Sequence, residues 1–131
     1  MEATLDKKTI DLINKLKDFV DSKGVVKDEV VKMLMDLRPH FIEQKEPLVT
    51  RVVRLTAEYI EEVGTFDLNL LAEEDEEGNI DDEIVLEGED SFNEVKANFN
   101  YLLDLFAHPD NQVNKEELTR IKQMYLDRDL F

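Results

Sequence analysis

Residues 47–64, PLVTRVVRLTAEYIEEVG, decide the fold. Pro47 suits the first position of a helix, where its missing N–H would have no partner in any case. Leu48, Val52, Leu55, Tyr59 and Ile60 then recur at three- and four-residue spacing, and Val49, Val53 and Val63 widen the apolar face. Gly64 supplies the end. So broad a face predicts the central helix of a bundle, with neighbours on more than one side.

Upstream, two more helices are predicted. Leu5, Leu12, Ile13, Leu16, Phe19 and Val20 form one stripe over 5–22, with lysines and aspartates opposite and Gly24 after the end. A second helix starts near Lys27, with Asp28 and Glu29 in its first turn, where carboxylates meet unsatisfied backbone amides. Its stripe is Val30, Val31, Leu34 and Leu37. Pro39 removes a backbone donor and restricts Arg38, so a kink or stop is expected there, leaving 40–45 as a frayed turn or connection.

Downstream, residues 91–94 read Ser-Phe-Asn-Glu, the spacing of a capping box, and Val95, Phe99, Leu102, Leu103 and Phe106 continue a stripe toward Pro109. A fifth helix is expected from Asn114, with Val113 stapled to Leu118 and with Leu118, Ile121, Tyr125 and Leu130 inward. The short link 108–113 makes the last two helices a hairpin. The fold class expected is therefore mainly α: one domain over 1–131, a five-helix orthogonal or up-down bundle.

Between the third and fourth helices lies a segment of another kind. Residues 65–90 hold twelve acids and no base, whereas 1–64 hold thirteen acids and eleven bases and 91–131 hold seven and five. Most of the net charge of −16 thus comes from this insertion. Thr65 to Leu70 alternate apolar and polar, as Ile84 to Glu87 do more loosely, which allows a short β-hairpin with Glu77, Gly78 and Asn79 near its tip. An ordered coil or a partly mobile loop is the alternative, because the run Glu73, Glu74, Asp75, Glu76 and Glu77 repels itself.

Composition narrows the function classes. The chain has no cysteine, so thiolate nucleophiles, zinc-thiolate sites and disulfides drop out. No stretch approaches the roughly 20 apolar residues of a membrane span, and the first residues lack the basic and apolar regions of a secretory signal. A cytoplasmic location is expected. Lysines and arginines are interspersed with acids along the chain, which argues against direct nucleic-acid binding and against attraction to an anionic membrane.

Two stretches have partial calcium-loop spacing. Over 106–117, Asp110, Asn114 and Glu117 fall at ligand positions, but Phe106 and His108 occupy the first and third and Asn111 replaces the required glycine. Over 73–84, Asp75, Glu77 and Asp81 are metal candidates, yet Ile84 stands where a bidentate glutamate belongs. His40 and His108 lie far apart, and no phosphate loop or nucleophile elbow occurs. No cofactor and no catalytic residue is expected.

The function expected is non-enzymatic: an adaptor or inhibitor whose residues Glu73, Glu74, Asp75, Glu76, Glu77, Asp81, Asp82 and Glu83 meet a basic partner surface. The partner class includes nucleic-acid-binding proteins, approached by mimicry of the nucleic acid. The alternatives are a calcium-responsive helix-loop-helix module and a structural subunit of a larger assembly.

Overall fold

Among the described residues, the first and fifth helices begin under a side-chain cap, and the first and third end on a glycine that donates back to the last turn. The computed structural model describes residues 5–66, 68 and 91–127, with side chains from 94 onward in the last stretch. Helix α1 spans Lys7–Lys23, capped by Asp6, whose carboxylate accepts from the Thr9 amide at 2.8 Å and from the Thr9 hydroxyl at 2.5 Å. Helix α2 spans Lys27–Glu43 and α3 Pro47–Val63, where Gly64 takes a left-handed φ of 93° and donates to the Ile60 carbonyl. Helices α4, Ser91–Ala107, and α5, Gln112–Asp127, complete the bundle.

Side-chain contacts fix the direction of each helix. The Asp6 amide donates to Gln44 Oε1 and Gln44 Nε2 donates to Thr9, so the start of α1 lies beside the end of α2. Lys27 at the start of α2 faces Glu61 near the end of α3. Lys17 pairs with Asp104, and Lys96 donates to the Asp21 carbonyl, so α1 and α4 run antiparallel. Thr56 meets Tyr125 at 2.9 Å while Val49 and Leu118 line one hollow, so α3 and α5 run parallel. Direction therefore alternates up and down along the chain. The main packings form a closed ring in the order α1, α2, α3, α5, α4.

The ring surrounds one core. Ile13, Leu16, Val20, Leu34, Leu37, Phe41, Phe99, Leu102, Phe106 and Ile121 are buried in it, and α3 contributes Val49, Val52, Val53, Leu55, Ala57, Tyr59 and Ile60. Edge-on and tilted ring pairs tie the elements together: Phe41 with Phe106, Tyr59 with Tyr125, and Phe66 with Phe99 at centroid distances of 6.2, 5.6 and 5.2 Å. The hydroxyls of Thr56 and Tyr125 satisfy each other inside this core. The bundle places α3 between two neighbours like every other helix, so its breadth of apolar face shows as depth of burial rather than as a central position.

Three expectations change. Helix α2 continues through Pro39 to Glu43, because Leu37 before the proline and Phe41 after it both point into the core and Pro39 itself is exposed. Helix α5 starts at Gln112 rather than Asn114, since the Asn111 side chain caps it by accepting from the Asn114 amide at 3.1 Å. Val113 is 65% exposed, so it makes no staple with the buried Leu118. The hairpin expected within 65–90, the Ser91 capping box and Leu130 fall outside what is described.

Candidate functional site

The alternating directions give the bundle two unlike ends. At one end α3 finishes and α4 begins, and Phe66 and Leu68, both fully buried, anchor the chain there as it leaves toward the acidic insertion. Glu73, Glu74, Asp75, Glu76, Glu77, Asp81, Asp82 and Glu83 lie outside the described residues, as do the metal candidates among them. The opposite end gathers the start of α1, the end of α2, the start of α3, the end of α4 and the start of α5. A helix of 17 residues separates the two ends by about 25 Å.

At this second end the α2–α3 link creates a feature that linear reading misses. Arg38 comes from α2, Lys45 from the link, and Arg51 and Arg54 from α3; together they line a groove of about 380 Å³. Ile42, 54% exposed, and Pro47 give it an apolar wall. The only pairing drawn for these cations among the described residues is a loose one, Arg54 to Glu58 at 3.8 Å on the same helix. The Arg38 Nε–H is buried and has no acceptor. Lys45 adopts a left-handed φ of 59°, alone among the described non-glycine residues. The signal available in sequence was symmetry about the turn, because Arg38 and Arg54 stand equally far from Glu46 on either side.

Glu46 is the acid that lines this groove with these cations. Burial pushes its carboxyl above the usual range; Lys115 opposes that shift and Asp110 adds to it. Both partners belong to the α4–α5 side, across an adjoining hollow of about 300 Å³ that Lys45, Glu46, Val49, Pro109, Lys115 and Leu118 line. The Glu46 backbone carbonyl accepts from both the amide and the hydroxyl of Thr50, at 2.9 and 2.7 Å.

The stretch with partial calcium-loop spacing over 106–117 is a capped turn. Phe106 is buried in the core, and the Asn114 side-chain amide donates to the His108 carbonyl at 3.1 Å. Glu117 accepts from Tyr101 Oη at 2.9 Å and from Arg120 Nε and Nη2 at 3.1 and 2.9 Å. Arg120 first, and Tyr101 next, hold the Glu117 carboxyl below its usual range; burial and then Glu117 push the Tyr101 hydroxyl up. Tyr101, which falls off the main stripe of α4, is thereby half-buried and tied to α5. Among the described residues no group of three histidines or carboxylates converges on a metal position, and no helix is long and apolar enough to cross a membrane.

Compared with protein-family models, with curated proteins and with solved structures, the chain gives no match.

Proposed function

We propose that this protein is a non-enzymatic interaction module, in which the bundle holds out the acidic segment to a basic surface on another protein. One observation carries the reading: within 69–90 eleven acids stand without a single lysine or arginine, while the rest of the chain is close to neutral. A helical scaffold with interspersed charge has no need of such a segment for its own folding, since like charges at close spacing repel. Presented to a partner of opposite sign, the same charges speed encounter and exclude wrong partners more than they add affinity.

The burial of Phe66 and Leu68 supports this role, because it fixes the chain to the bundle immediately before the acidic run begins. A partner that normally holds nucleic acid belongs to this class, with carboxylates standing where phosphates would.

The test replaces Glu73, Glu74, Asp75, Glu76 and Glu77 with their amides and compares that variant with the wild type in affinity capture at low and high salt. We expect a partner that the wild type holds at low salt and loses at high salt, and that the variant does not hold at all. Equal capture by both proteins, with circular dichroism showing both folded, contradicts the reading. Displacement of that partner's DNA or RNA by the wild type alone identifies mimicry.

A further inference from the structure

We propose that the groove between α2 and α3 is an anion-binding site for a small phosphate monoester, its dianionic head held by Arg38, Arg51 and Lys45 and its compact organic part lying against Ile42 and Pro47. This inference stands apart from the acidic-segment reading, since it concerns the other end of the bundle and different residues.

Four observations converge on it. The first is chemical. Guanidinium groups offer paired donors that match phosphate geometry, and three arginines with a lysine line this one groove. Bringing them together costs mutual repulsion, and the one acid in the same lining is Glu46, which also has Lys115 and Asp110 as charged neighbours. The lining of the groove therefore sets four cations against one carboxylate, that of Glu46.

The second observation is the Arg38 Nε–H, buried without an acceptor. Leaving a charged donor unsatisfied is costly, and since this atom is closed to solvent the Arg38 side chain must turn for a ligand oxygen in the groove to remove that cost. The third is Lys45. A left-handed backbone after a helix is the place for glycine, and a lysine there strains the chain by about 1–2 kcal/mol. The strained residue is thus one whose side chain lines the groove.

The fourth is size. A volume of about 380 Å³ lies at the lower end of the range that small-molecule sites occupy. One phosphate head with a small apolar body suits it, and the exposed Ile42 and Pro47 provide a surface for that body.

Phenyl phosphate is the probe, titrated into the full-length protein while proton–nitrogen spectra follow the arginine Nε–H signals and the backbone amides. We expect saturable shifts confined to Arg38, Arg51, Arg54 and the amides of 45, 46 and 48–51, with phenol and equal ionic strength of chloride giving none. Inorganic phosphate produces the same pattern with weaker affinity. Arg51→Gln, at an exposed position, weakens binding by about tenfold, the loss of one charge-assisted hydrogen bond. Lys45→Gly weakens binding while the melting temperature holds or rises, a split that a merely structural lysine does not produce. Lys122→Gln on α5 leaves binding unchanged. Shifts that chloride reproduces, or that spread evenly over the surface lysines, overturn the site. Tighter binding by a short thymidine oligonucleotide, with shifts running beyond the groove, overturns the assignment to a small ligand.

Discussion

Glu46 and Lys45 are adjacent residues with opposite problems. Lys45 pays in backbone strain for its position, and Glu46 is a carboxylate whose burial favours the protonated form. A raised acid in the folded state makes ionisation a cost above that raised value, and the cost fades as pH falls through it toward the ordinary carboxylate range. We therefore expect Glu46→Gln to be more stable than the wild type near pH 7, with the gap closing in mildly acidic solution. Urea denaturation at a series of pH values reads this directly, and a gap that stays constant with pH contradicts it. Asp6 and Glu117 have the opposite sign. Hydrogen bonds from Thr9 and from Arg120 hold their carboxyls low, so their contributions are present above the ordinary carboxylate value and are lost as pH falls through the depressed one.

Among the elements, the ends of helices are the most exposed to single changes. Gly64 closes α3 with a φ of 93°, and a Cβ placed there meets no atom within 4 Å. The cost of Gly64→Ala is thus purely one of backbone, about 1–2 kcal/mol, and thermal unfolding should show it as a lower melting temperature. Asn111→Ala removes the cap of α5 and costs about 1 kcal/mol, whereas Val113→Ala, at an exposed position, stays within about 0.5 kcal/mol of the wild type. A larger loss at Val113 than at Asn111 contradicts this assignment of the helix start.

The same helix ends mark where sequence reading works and where it stops. The apolar stripes placed all five helices, because periodicity records which side faces a core and that side was buried as expected in Ile13, Leu16, Val20, Phe99 and Phe106. Pro39 and Val113 misled for one reason: a local preference was weighed without the tertiary contact that overrides it. Phe41, inward on the far side of Pro39, holds α2 together, and Asn111 reaches the Asn114 amide before Val113 can act as a staple. The cationic groove was missed for a different reason. Its residues come from two helices and a turn, and charge counted along the chain averages them with their neighbouring acids.

Taken over its whole length, the chain separates its charges by segment: residues 69–90 hold eleven acids and no base. The end that carries Phe66 and Leu68 leads into the acidic insertion, and the other end holds Arg38, Lys45, Arg51 and Arg54. The ring of five helices keeps a core that joins residues from every element. On the proposed reading such a core needs nothing from the eleven carboxylates of 69–90, whose close spacing in the chain sets them in mutual repulsion.

The most direct measurement is the thermal unfolding of a chain in which residues 69–90 are replaced by a flexible glycine-serine linker of about ten residues. We expect one cooperative transition, helical circular dichroism preserved, and a melting temperature equal to or above that of the wild type. A broad transition, or a melting temperature lower by about 10 °C or more, would mean that the acidic segment is part of the folded core rather than a surface the bundle carries.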